Sequence, residues 1–177
     1  MRSMINRVSI NEGVSAHLDA CLAMVRDSDL GRNYFQDEGR LTGIIREGLL
    51  KGEIRIACTA ENPCAGFIWF TGAGMFYGFP YIRLLAVNPA CRSDGIGSFL
   101  LQYVEDLLRQ RQARKVFLTV AEFNLRAKRL YERLGYGEVA LISDLYIAGY
   151  AEHVMMKQLD EVPRPTDLLS EIGHAIA

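Results

Sequence analysis

The stretch Arg92-Ser93-Asp94-Gly95-Ile96-Gly97-Ser98 places a guanidinium, two hydroxyls and two glycines directly ahead of a segment with helical periodicity. Glycine lets a backbone approach a bulky ligand closely and take dihedrals that other residues avoid. Downstream, Leu100, Leu101, Val104, Leu107 and Leu108 recur at helical spacing, with Gln102, Glu105, Asp106 and Arg109 on the other side. The glycine turn is therefore the first turn of a helix, and the N–H groups of Gly95, Ile96, Gly97 and Ser98 can be offered to an anion at the positive end of its dipole. The chemistry this suggests is phosphate holding. The pattern is neither a dinucleotide-binding Gly-x-Gly-x-x-Gly, whose third glycine would fall on Leu100, nor a P-loop, which needs Gly-Lys-Ser/Thr. Asp94 would repel phosphate unless its side chain turns outward, and Gly-x-Gly also occurs in ordinary tight turns.

A second group of candidates lies further on. Asn124 has the character of a helix N-cap, after which Ala127, Leu130, Tyr131 and Leu134 share one face and Gly135 ends the helix. Tyr131 carries a phenol that could donate a proton, although its place on the apolar face fits a core aromatic equally well. Glu122, two residues before the cap, is compatible with a general base and with a solvated or helix-capping carboxylate.

The elements that must position these groups follow from periodicity. The apolar run Tyr81–Val87 is a strand leading into the glycine turn. Lys115–Val120, after the helix, is a second strand; a right-handed crossover makes the two parallel. The crevice at the carboxyl ends of two such strands is a ligand site. Upstream, residues 1–10 read as a strand and Glu12–Arg26 as a helix burying Val14, Leu18, Cys21, Leu22 and Val25. Asp27–Asp37 reads as an irregular loop, and Glu38–Leu50 as a helix burying Leu41, Ile44, Ile45 and Leu49. Ile54–Thr59 and Ala65–Phe70 form a hairpin, with Trp69 in the core. Thr71–Pro80 is a glycine-rich loop, and Gly137–Ser143 and Glu152–Leu159 are the last strands. The domain spans 1–160, and 161–177 is a tail that can hold a short helix, Thr166–Ile176.

Composition narrows the function. The chain has 177 residues, half of them hydrophobic, which suffices for one domain with a full core. Twenty basic and 21 acidic residues give a net charge of −1 and argue against a broad nucleic-acid or membrane-surface role. Cys21, Cys58, Cys64 and Cys91 are scattered without metal-ligand spacing, so no metal site and no disulfide framework are expected, and reduced cysteines point to a cytoplasm. The start has charge but no apolar signal core. Asn62–Ile82 is uncharged and about long enough to span a bilayer, but its glycines and prolines break it into strands and a loop.

The spacing Arg-x-x-Gly-x-Gly at Arg92–Gly97, followed by Asn-x-x-Ala-x-x-Leu-Tyr-Glu-x-Leu-Gly-Tyr at Asn124–Tyr136, resembles the GNAT superfamily of acyl-CoA N-acyltransferases. A weaker echo lies at His153–Leu159. The resemblance implies a single α/β (α+β) domain: a mixed, mostly antiparallel sheet with a central parallel strand pair splayed around a CoA site, and helices on both faces. It implies acetyl-CoA as cofactor, with Leu85, Ala86 and Val87 bonding the pantetheine arm. Arg92, Ser93, Asp94, Gly95, Ile96, Gly97 and Ser98 then lie around the diphosphate, Asn124 bonds the pantetheine and Ala127 leaves room for it. Tyr131 is the general acid that protonates the departing thiolate. In the related ribosomal-protein N-alpha-acetyltransferases a glutamate five residues before the asparagine is the base; here that position is Thr119, and Glu122 is the nearest carboxylate. The acceptor is a small-molecule amine or a peptide N-terminal amine, contacted by Tyr34, Phe35, Asp37 and Glu38 and by Tyr146. No covalent enzyme intermediate is expected, and Cys91 is read as a packing residue. A homodimer through an exposed strand or the tail is compatible with the sequence, and so is a non-catalytic acyl-CoA-binding module on the same fold.

Overall fold

Seven strands form one sheet in the computed structural model, which describes residues 8–159. They are β1 (Ser9–Glu12), β2 (Ile54–Cys58), β3 (Gly66–Met75), β4 (Phe79–Val87), β5 (Lys115–Ala121), β6 (Gly137–Ser143) and β7 (Ala151–Gln158), in the order β1-β2-β3-β4-β5-β7-β6. The β4–β5 pair is parallel and every other pair is antiparallel, as the expected architecture requires.

Helices cover both faces because alternate strand residues point to opposite sides. On one face, α4 (Ile96–Gln110) buries Leu100, Leu101, Val104 and Leu108 against Ile82, Val116, Leu118, Val120 and Met155; Leu130 and Tyr131 of α5 (Leu125–Arg133) join that core. On the other, α1 (Leu18–Arg26) and α3 (Glu38–Leu50) bury Cys21, Leu22, Val25, Leu41, Ile45 and Leu49 against Ile54, Ile56, Phe67, Trp69 and Leu84.

One irregularity shapes the site. Trp69 lies opposite Leu84 but Phe70 lies opposite Ile82, so Arg83 is an extra residue in β4. Such a bulge bends the strand and increases its twist. The parallel ladder between β4 and β5 consists of Tyr81↔Phe117 and Ile82↔Leu118 and ends where the bulge begins. Leu85–Val87 stay paired with β3 on one edge while the other edge opens away from β5. The Arg83 guanidinium lies 4.7 Å over the Trp69 ring, and the Trp69 indole donates to Glu53 Oε2 at 2.8 Å.

Several expectations are corrected. The first strand is Ser9–Glu12 rather than 1–10, and the part of that expectation within residues 1–7 lies outside the described residues. The first helix does not begin at Glu12: Gly13 N–H extends the sheet by donating to the Ile54 carbonyl at 2.9 Å, a 3-10 turn spans Ser15–His17, and Val14 is exposed. Ile44, read as a core residue, is half-buried. Asp27–Asp37 is not irregular throughout, because Ser28 caps a short helix, α2 (Asp29–Tyr34). Thr71–Met75 and Phe79–Pro80 belong to β3 and β4, and the turn between them uses positive φ at Phe76 and Tyr77. The tail and its expected helix lie outside the described residues.

The α1–α2 corner leaves no room for a side chain. Ser28 Oγ accepts from Gly31 N–H at 3.0 Å and donates to the Val25 carbonyl at 2.6 Å. A Cβ on Gly31 would fall 2.1 Å from the same carbonyl oxygen. Gly31→Ala is expected to cost about 1–3 kcal/mol of stability, the usual range for overpacking; a urea midpoint equal to wild type would contradict this corner geometry. Asn124→Ala, which removes a cap formed by Asn124 Oδ1 and Ala127 N–H at 3.2 Å, is expected to cost about 1 kcal/mol, whereas Asn124→Asp retains most of the stability in the same denaturation series.

Candidate active site

The open edge of β4, the start of α4, one side of α5 and the α1–α2 corner enclose a cavity of about 750 Å³. Leu85, Ala86, Val87, Arg92, Ser93, Gly95, Ile96, Gly97, Ser98, Asn124, Ala127 and Tyr131 all line it. Two segments separated by some thirty residues of sequence thus meet on one surface. Asp94 is exposed and is not among the lining residues, so its carboxylate does not face the donors.

The turn has the backbone that its glycines foretell in part. Gly95 is the N-cap of α4 with φ +84°, in the left-handed region that glycine occupies without penalty. Ser93 takes φ +77° without being glycine. The first intrahelical bond runs from Phe99 N–H to the Gly95 carbonyl at 3.0 Å, so the N–H groups of Ile96, Gly97 and Ser98 have no acceptor within the helix. Gly97 has ordinary backbone angles, and a Cβ there would sit 3.5 Å from Leu130 and 3.7 Å from Val87. Packing within the protein therefore permits a side chain at Gly97; what glycine provides is a bare backbone toward the cavity.

Positive charge concentrates on this wall. Arg92 is held by α1, donating to the Asp27 carbonyl at 3.2 Å and lying 3.5 Å from its carboxylate. Arg126, Arg129 and Arg133 also line the cavity, and Arg126 donates to Ser93 Oγ at 3.3 Å. Sequence reasoning missed these three. Their i, i+3, i+7 spacing on α5 was the available signal, since it puts them on one side of the helix. This set of cations and helix-terminal donors suits a polyanionic ligand such as a CoA nucleotide.

Tyr131 closes the inner part of the cavity. It is 7% exposed, and burial pushes its hydroxyl up to about 12, so the phenol stays protonated throughout the neutral range. Its ring packs edge-on against Tyr136 at 5.8 Å. Asn124 spends its carbonyl oxygen on the cap, leaving the amide NH₂ to donate elsewhere.

A second cluster stands at the carboxyl end of β5. Tyr34 of α2 packs edge-on against Phe123 at 5.7 Å, Tyr150 at 5.8 Å and Tyr146 at 6.4 Å. Its hydroxyl donates to Glu152 Oε1. Tyr81, Thr119 and Tyr146 share hydrogen bonds, 2.8 Å between Tyr81 and Thr119 and 3.0 Å between the two tyrosines. The structure therefore unites Tyr34 and Tyr146, two of the acceptor candidates. The others go elsewhere: Phe35 packs into the α1–α3 core, Asp37 caps α3, and Glu38 pairs with Arg26 at 3.4 Å. Glu122 is exposed and accepts from Ala151 N–H at 3.2 Å. Glu152 is 2% exposed, and burial, with Glu122 nearby, pushes its carboxyl above the usual carboxylate range. It was missed in the sequence, where its only mark is a carboxylate at the start of a mixed strand, next to His153 and ahead of the apolar run Val154–Met156.

Comparison with known proteins follows the same lines. Residues 23–136 match the model of the acetyltransferase (GNAT) family. The chain is 32% identical over 106 residues to the streptothricin acetyltransferase of Streptomyces lavendulae, covering 56% of this chain and 53% of that protein. The chain spans about half the length of the curated relatives it matches. Its fold is similar to that of the ribosomal-protein-S18-alanine N-acetyltransferase of Escherichia coli, with TM-score 0.69 and 18% identity over 89% of this chain and 97% of that one. It is similar as well to yncA of Salmonella typhimurium, solved with its cofactor acetyl-CoA, with TM-score 0.67 and 20% identity over 89% and 97%. A family model matched over more than half the chain, on a sheet forked beside the free N-terminal N–H groups of α4, places this protein in the acetyltransferase (GNAT) family.

Proposed function

We propose that the protein transfers an acetyl group from acetyl-CoA to a primary amine by direct attack, within a ternary complex. The observation that carries this reading is the fork between β4 and β5, which opens between an anion-holding helix terminus and a buried, protonated tyrosine. When bound, acetyl-CoA supplies the thioester carbon that the amine attacks.

The chain's own residues divide the remaining work. The N–H groups of Ile96, Gly97 and Ser98, with Arg92, Arg126 and Arg129, hold the diphosphate and neighbouring phosphate. The open edge of Leu85–Val87 offers backbone groups to the pantetheine amides as an added strand would, and the Val87 N–H stands ready for the thioester oxygen, where negative charge develops. Asn124 donates its amide to the pantetheine, and Ala127 keeps that wall low. Tyr131 donates its hydroxyl proton to the departing sulfur and recovers a proton from solvent. The acceptor enters from the side of Tyr34 and Tyr146. Streptothricin acetyltransferase and the S18-alanine N-acetyltransferase among the similar proteins support an amine acceptor, either a small molecule or a peptide terminus.

Calorimetric titration is expected to show acetyl-CoA binding to the purified protein, and absence of heat at millimolar ligand would remove the donor assignment. With an active amine, Tyr131→Phe is expected to lower kcat by roughly 10²–10⁴-fold, the range for loss of a general acid, while acetyl-CoA affinity changes less than about threefold. A panel of streptothricin, spermidine and a tetrapeptide with a free amino terminus, followed by thiol release, separates the acceptor classes.

A further inference from the structure

A carboxylate that is 2% exposed and paired with a neutral hydroxyl is a costly arrangement for a structural role, because burial disfavours the ion and a phenol offsets little of that cost. Glu152 is such a group. It lies opposite Ala121, the last residue of β5, and so stands at the mouth of the fork. Tyr34 reaches it from α2, where Ser28, Asp29, Leu30 and Arg32 line the cavity just described. The hydrogen bond between them therefore bridges two elements separated by 118 positions, at the boundary between the cofactor cavity and the aromatic cluster.

The orientation of that bond matters. The Tyr34 O–H is committed to Glu152 Oε1, which leaves the lone pairs of the Tyr34 oxygen free to accept from a substrate ammonium. Tyr34 is only half-buried, whereas Glu152 is covered, so the phenol is the member of the pair that a substrate can touch. The surroundings select for a cation. Tyr34, Phe123, Tyr146 and Tyr150 supply ring faces, and Glu122 supplies a second carboxylate on the same side.

We propose that Tyr34 and Glu152 form a proton relay that deprotonates the acceptor, and that the acceptor is a cationic amine seated against this tyrosine cluster. This rests on the acetyltransferase reading given above. In the step, an ammonium N–H proton passes to the Tyr34 oxygen as the Tyr34 proton passes to Glu152 Oε1. The amine is left neutral with its lone pair, Tyr34 is again a phenol, and Glu152 is a carboxylic acid that returns the proton to solvent before the next turnover. Tyr34 is the catalytic residue and Glu152 a positioning residue that acts through it.

The groups facing Glu152 set the direction of its titration. Burial raises its pKa first and Glu122 adds to the rise; the Tyr34 hydrogen bond and His153 lower it. Tyr34 itself is raised by burial, then by Glu152, Tyr150 and Glu122, so it does not ionise in the working range. The relay needs ionised Glu152. Its activity is lost as pH falls through the raised folded pKa, above the range of exposed carboxylates.

The test uses the full chain with acetyl-CoA and streptothricin, spermidine and the tetrapeptide as acceptors. Glu152→Gln and Tyr34→Phe are each expected to lower kcat by more than about tenfold and to abolish the acid limb of the pH profile, with the double variant no worse than either alone and acetyl-CoA affinity unchanged. Independently of turnover, a carbon-13 titration of glutamate carboxyls is expected to place Glu152 above the exposed glutamates, and Tyr34→Phe to move it higher. Variants that keep wild-type kcat and an unchanged acid limb overturn the relay while leaving the acetyltransferase reading intact. A wild-type protein that binds acetyl-CoA and acetylates none of the three amines overturns both. If Glu152→Gln does not fold, Tyr34→Phe carries the same readouts.

Discussion

The extra residue in β4 is the constraint on which the site depends. A parallel pair that continued past Ile82 and Leu118 would satisfy the backbone of Leu85–Val87 with β5 and leave no slot between them. The bulge at Arg83 prevents this by bending β4 as its ladder with β5 ends. Its own side chain anchors the distortion: the guanidinium lies 4.7 Å over the Trp69 ring, whose indole is tied to Glu53. Because β3 still pairs through Gly66↔Val87, β4 remains ordered along one edge while offering the other. A rigid strand with one free edge is what a peptide-like arm can add to without paying to order its partner.

The fork also separates two electrostatic environments. On the α4–α5 side stand helix-terminal N–H groups and the guanidinium groups of Arg92, Arg126, Arg129 and Arg133. At the end of β5 stand Glu122, Glu152 and four aromatic rings. A net charge of −1 for the whole chain conceals this division, since the opposite charges cancel in the sum and not in space. A polyanion and a cation would each be drawn to one side of the slot and repelled from the other.

How much of this was legible in the sequence depends on the range of the interaction concerned. Gly95 and the periodicity after it are local, so a glycine turn opening α4 could be read directly, although Gly95 proves to be the left-handed N-cap rather than part of the first turn. Asn124 was likewise readable as a cap because its donor partner, the Ala127 N–H, is three residues away. The parallel pairing of β4 and β5 followed from the helix that crosses over between them. Not legible was the start of α1, where Gly13 belongs to the sheet through a carbonyl 41 positions away, or α2, whose Ser28 cap sits in a polar run that reads as loop. The bulge at Arg83 leaves no trace in a one-dimensional pattern, since only the register of β3 against β4 defines it. Glu152 was hidden for the same reason: its partner Tyr34 lies 118 residues earlier.

The two buried glutamates show why burial alone does not mark function. Glu105, on α4, is 2% exposed and lies 2.5 Å from the Lys157 ammonium and 3.6 Å from the Arg109 guanidinium. Its charge is met by full opposite charges, and the triad ties α4 to the end of β7, which is a structural role. Glu152 is equally buried, but its hydrogen-bond partner is a phenol and its charged neighbour on the same side is another carboxylate. Glu105 thus sits between two cations, whereas burial and the nearby Glu122 oppose the ionised form of Glu152. A carboxylate whose ionised form is opposed is one that takes up a proton readily. The difference lies in the chemistry of the neighbours rather than in depth, and it makes Glu152 the better placed of the two to take part in proton transfer.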